Sequence, residues 1–132
     1  MTKTIRYTIL KTELNPLDGY ILLDASTHEA DQENFYKVIQ ETVGGVFDVT
    51  VSPDRRHSIY CHDEGLLIGL PMNPYAHAMW GYGLAGTLVV TGPVDEVGYD
   101  TDVDPDLENE ARVRCAAFIN QMRVDAGMAP LV

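Results

Sequence analysis

Basic residues are scarce in this chain: nine lysines and arginines stand against twenty aspartates and glutamates, a net charge of −11 over 132 residues. That balance excludes a general nucleic-acid binder, because non-specific affinity for phosphate comes from Lys and Arg. Cysteine is equally sparse. Cys61 and Cys115 are too few for a disulfide framework. The first residues lack the apolar stretch of a signal peptide. The longest near-apolar runs, residues 66–72 and 84–90, contain glycine and are far shorter than a membrane span. The expectation is a cytoplasmic protein with reduced thiols and no membrane contact.

Catalytic motifs are missing as well. There is no G-x-S-x-G elbow and no phosphate-binding G-x-x-x-x-G-K-[ST]. Gly81-Tyr82-Gly83-Leu84-Ala85-Gly86 matches G-x-G-x-x-G in letters, but the fingerprint needs a strand before it and a helix after. Here the order is reversed, so the stretch reads as a turn entering a strand. His28-Glu29-Ala30-Asp31-Gln32 begins like H-E-x-x-H, with Gln32 where the second imidazole belongs. Cys61 and His62 are strand neighbours that point to opposite faces, so a metal at His57 and His62 would need His77 brought in by folding. No metal or cofactor is expected. Cys61 has no base among its sequence neighbours, and Cys115 reads as a small buried hydrophobe. The chain is expected not to be an enzyme.

What is present fits one domain, residues 1–132. Residues 4–10 alternate as a half-buried strand, and residues 20–23 follow a turn as its hairpin partner. Ser26 and Glu29 have capping-box spacing before a helix over residues 31–43, stopped by Gly44-Gly45. Residues 46–51 and 57–61 form a hairpin, and residues 66–70 a short extended piece ended by Pro71. Asn73-Pro74 caps a short helix over residues 74–80. Residues 87–91 are a strand. The last element starts at Asp104-Pro105, carries the stripe Leu107, Ala111, Cys115, Phe118, Ile119 and Met122, and stops at Gly127. The sum is an α+β domain: a mainly antiparallel sheet with two main helices on one face.

Charge is unevenly spread. Residues 95–110 contain eight acids and no base, a net −8, against −5 for residues 1–94 and +2 for residues 111–132. Asp100, Asp102 and Asp104 have the spacing of a calcium loop, but Pro105 and Ala111 occupy positions that must be glycine and glutamate. Acids at the start of the last helix favour its dipole. The others solvate a loop or form a surface for a partner, with Asp95, Glu96, Asp100, Asp102, Asp106 and Glu110 as candidate contacts. A second candidate is the loop and short helix holding Asn73, Tyr75, His77, Trp80 and Tyr82. Its aromatics either pack beneath the loop or anchor an interface.

Three stretches carry a family resemblance: Glu41-Thr42-Val43-Gly44-Gly45, residues 63–73 with acid-Glu-Gly-Leu and Gly-Leu-Pro-x-Asn, and Ala85-Gly86-Thr87 with the apolar run after it. Over residues 31–92 the chain resembles a family of small proteins of unknown function from bacteriophages, plasmids and actinobacterial mobile elements. The acidic segment and last helix, residues 95–126, lie outside it. The resemblance brings no catalytic residues. It implies an accessory protein acting in the bacterial host cytoplasm on a host protein, in host takeover or counter-defence. The acidic surface would make the contact. The alternative is a protein that binds or sequesters a small ligand such as a nucleotide at residues 71–86.

Overall fold

The computed structural model describes residues 3–130; residues 1, 2, 131 and 132 of the expected domain lie outside the described residues. The order is β1 (Thr4–Leu14), β2 (Ile21–Asp31), a 3-10 turn (Gln32–Asn34), α1 (Phe35–Val43), β3 (Phe47–Val51), β4 (Ser58–His62), α2 (Pro74–Trp80), β5 (Leu88–Thr91) and α3 (Leu107–Asp125). The strands form a single sheet in the order β2-β1-β5-β4-β3. Every pairing in it is antiparallel.

The α+β class and the antiparallel sheet are as the periodicity predicts. The placement of the helices differs. α2 and α3 cover one face, over Leu10, Ile59, Leu88 and Val90. α1 covers the other, over Ile5, Tyr7 and Val89. The reason lies in β5, where Leu88, Val89 and Val90 are all completely buried. A central strand that is apolar on both sides cannot leave a face to water.

Two local expectations are also corrected. Ser26 and Glu29 do not cap a helix. They lie within β2, which pairs with β1 over its whole length, and Glu29 meets Arg6 across the strands at 3.1 Å. The helix starts only at Phe35, after the 3-10 turn. Residues 66–70 are not extended, because backbone N–H groups there find carbonyls a few residues back in the chain rather than on a neighbouring strand. The chain turns instead, with Ile68 N donating to Glu64 O and Leu70 N to Gly65 O. Gly69, at φ +76°, permits it. Leu66, Leu67 and Ile68 are left exposed.

Candidate functional site

The acidic loop, residues 92–106, leaves β5 and returns along β1 to α3. Short carboxylates bond readily to backbone N–H groups close by in the chain, and this loop uses that repeatedly. Asp95 Oδ1 accepts from Val97 N and Tyr99 N at 3.0 and 2.9 Å. Asp104 Oδ1 accepts from Asp106 N at 2.9 Å. Asp102 Oδ1 accepts from Arg6 N on β1 at 2.8 Å, while Val103 N donates to Arg6 O. Asp100 is the anchor to the sheet: Tyr60 Oη donates to both of its carboxylate oxygens at 2.7 and 2.8 Å, and Thr91 Oγ1 to one at 3.2 Å.

These bonds orient the carboxylates without removing their charge. Arginines do so elsewhere: Arg56 meets Asp104 at 2.7 Å, Arg112 meets Glu108 at 3.5 Å and Arg114 meets Glu110 at 3.0 Å. Glu110 is therefore a compensated acid on a helix. Among the described residues no ion pair reaches Asp95, Glu96, Asp100, Asp102 or Asp106. These remaining expected contacts form a stretch of unpaired negative charge, in which the carboxylates of Asp95, Asp100 and Asp102 are held by hydrogen bonds.

Beside it lies a cavity of about 200 Å³ whose walls include Phe35 and Tyr36 of α1, Phe47 of β3, Tyr60 of β4, and Tyr99 and Asp100 of the loop. Tyr60 stands edge-on to Phe47 at 5.4 Å and to Phe35 at 6.4 Å. Burial, reinforced by the Asp100 carboxylate, pushes the Tyr60 hydroxyl well above the ordinary tyrosine range. It stays protonated as a donor. Sequence reading passed over this cluster because its members come from four separate elements. The available signal was that Phe47 and Tyr60 belong to the α1 face of one hairpin.

The second expected group, residues 73–82, is dispersed. Asn73 is fully buried. Its Oδ1 caps α2 by accepting from Tyr75 N, and its Nδ2 donates to Leu10 O and Gly86 O, each at 2.9 Å. Tyr75 is core, and Trp80 and Tyr82 pack against that core. Only His77 faces open space, stacked on Phe118 at 5.9 Å. It borders an apolar groove of about 680 Å³ that also takes in Met72, Ile119, Met122 and Met128. The groove is where the apolar stripe of α3 outruns the core, since Leu107, Ala111 and Cys115 are buried while Met122 is exposed.

A family model described as a domain of unknown function (DUF3846) matches residues 20–116. The chain belongs to the DUF3846 family. The match is wider than the motif stretches, taking in β2, the acidic loop and the first half of α3. No curated protein matches the chain. A crystal structure of small RNA methyltransferase HEN1 aligns with 93% of this chain at 13% identity and a TM-score of 0.47; the chain spans 18% of that protein's length. Within this DUF3846 fold the three motif stretches meet, with Thr42, Val43, Leu70, Pro71, Gly86 and Thr87 around one hollow on the α1 side of β1.

The imidazoles and thiols of this DUF3846 chain stand apart. His57 is buried beside Trp80, at 6.2 Å between rings. His62 accepts from Glu64 N at the end of β4, and His77 is in the groove. Among the described residues no three His, Cys, Asp or Glu side chains form a metal-binding group. Burial raises the Cys61 thiol and pushes Cys115 up to about 11. Both are thus held as thiols, the poorly nucleophilic form. Among the described residues no helix is long and apolar enough to cross a membrane.

Proposed function

We propose that this is a non-enzymatic accessory protein of a phage or mobile element that binds a basic protein in its bacterial host's cytoplasm. In that setting it would serve host takeover or counter-defence. The observation that carries the reading is the loop of residues 92–106. Among the described residues no ion pair reaches Asp95, Glu96, Asp100, Asp102 or Asp106, and hydrogen bonds to the chain's own N–H and O–H groups fix all but the exposed Glu96 and Asp106. A pre-oriented field of one sign raises the encounter rate with an oppositely charged partner and loses less ordering entropy on contact. The raised thiol pKa values support a role without thiol catalysis.

The test is capture of partners from host lysate by wild type and by the combined variant Asp95→Asn, Glu96→Gln, Asp102→Asn and Asp106→Asn. The amides keep an acceptor oxygen for the internal bonds and remove the charge. The expected result is a partner whose recovery falls with added salt and is lost in the variant. Equal recovery by both proteins would sink the reading. The groove favours a second reading, ligand binding, because about 680 Å³ lies within the range of small-molecule sites. Its methionine, isoleucine and phenylalanine lining suits an apolar ligand better than a nucleotide.

A further inference from the structure

We propose that the aromatic-walled cavity at Asp100 is a receptor for one cationic side chain, the guanidinium or ammonium head of an arginine or lysine presented by the partner. The inference rests on the reading of the acidic loop as the contact surface and names the feature of the partner that this surface takes.

Three observations converge on it. The first is chemical. Tyr36, Tyr60, Tyr99, Phe35 and Phe47 line one cavity together with Asp100. Ring faces attract a cation through their quadrupole, and the attraction grows as the site is desolvated. The second is electrostatic. Asp100 is half-buried and has hydroxyl donors on both oxygens, yet among the described residues no ion pair reaches it. Tyr60 and Thr91 hold the carboxylate against the sheet, so swinging out to find a counter-charge would break these bonds. A cation would have to come to it. The third is size. About 200 Å³ is below the range that drug-sized ligands occupy, which leaves room for a side-chain head but not for a nucleotide. Tyr36 and Tyr99 are more than half exposed, at 52% and 59%. They form an open mouth, while Phe35, 4% exposed, forms the floor.

The binding partner is replaced in the test by methylguanidinium, with N-methylurea as a neutral probe of nearly the same shape. Backbone amide resonances of the whole chain are followed by NMR during titration. The expected result is saturable shifts centred on Tyr36, Gly98, Tyr99 and Asp100 with methylguanidinium and none with N-methylurea. Binding should weaken about tenfold in Asp100→Asn, where charge is lost but an acceptor stays. It should also weaken in Tyr99→Ala, an exposed loop position that keeps the test open if the Asp100 variant folds poorly. Equal binding of the urea, non-saturating shifts spread over the acidic surface, or variants that bind like wild type would each overturn the receptor. The two readings fail separately. Saturable cation binding with lysate capture indifferent to the loop charges keeps the cavity and removes the partner surface. Charge-dependent capture without cation binding does the reverse.

Discussion

Two long connections leave the central strands, and each is organised around one polar side chain. In the crossover from β4 to β5 it is Asn73, completely buried, with its amide oxygen and nitrogen engaged by Tyr75 N, Leu10 O and Gly86 O. In the connection from β5 to α3 it is Asp100, held by Tyr60 and Thr91 beside an open cavity. The first hub is neutral and every contact it makes is to its own chain. The second is charged and oriented, and among the described residues no ion pair reaches it. Both residues were candidate contacts in the sequence, and the difference separates a side chain satisfied inside the scaffold from a charged one held beside a cavity.

The largest test of that contrast is Asn73→Ala. It removes the helix cap and takes a buried donor away from the carbonyls of Leu10 and Gly86, an expensive loss where water cannot reach. A loss of about 3 kcal/mol in urea denaturation is expected. A loss below about 1 kcal/mol would show that water takes over the freed groups, and that the crossover is no better closed than the acidic loop.

A smaller effect tests how firmly the acidic loop is hung. A Cβ built on Gly92 would collide with the backbone carbonyl of Asp102 and with Thr101 Oγ1. The main chain itself must give way, since Gly92 N is tied to Thr101 O at 2.9 Å. Gly92→Ala should cost about 2 kcal/mol and shift amide resonances through residues 92–106 while sparing those of α2. Unchanged loop resonances would mean that the acids are not held in place, and the pre-oriented field would lose its basis.

How much of this was legible follows from where the information sits. A strand at residues 4–10, the Asn73-Pro74 cap and the glycine stops at Gly44 and Gly127 are local, and the structure has them as read, although the strand is buried or half-buried on both faces from Thr8 to Leu10; both glycines sit at positive φ. The two-sided sheet was legible in Leu88-Val89-Val90, a run with no polar face, although the expectation placed helices on one side only. The length of β2 was not. Its residues are polar because it is an edge strand, and only its ladder with β1 makes it extended. The acids of residues 95–110 were visible as charge. Which of them meets an arginine depends on Arg56, Arg112 and Arg114, and in the first case on a contact far away in sequence. The aromatic cavity depends on tertiary neighbours throughout.

His57 completes the contrast as a buried polar side chain with neither kind of support. It is 4% exposed, and both ring nitrogens are buried without a hydrogen-bond partner among the described residues. Burial holds its pKa below the ordinary value, against the upward pull of Asp54, Asp104 and Glu110 and with the help of Arg56. The sign of the consequence follows directly. Below the ordinary histidine pKa of about 6.5 the unfolded chain takes up a proton that the folded chain refuses. Stability from this site is therefore complete above that pH and drains away as the pH falls toward the lowered folded value. His57→Leu, which keeps an apolar body against Trp80, should remove that part of the pH dependence. The urea midpoint of wild type should drop between about pH 7.5 and 5 by more than that of the variant. Parallel curves for the two proteins would mean that His57 is protonated in the fold without penalty, and that one of the nearby carboxylates serves it as Tyr60 serves Asp100.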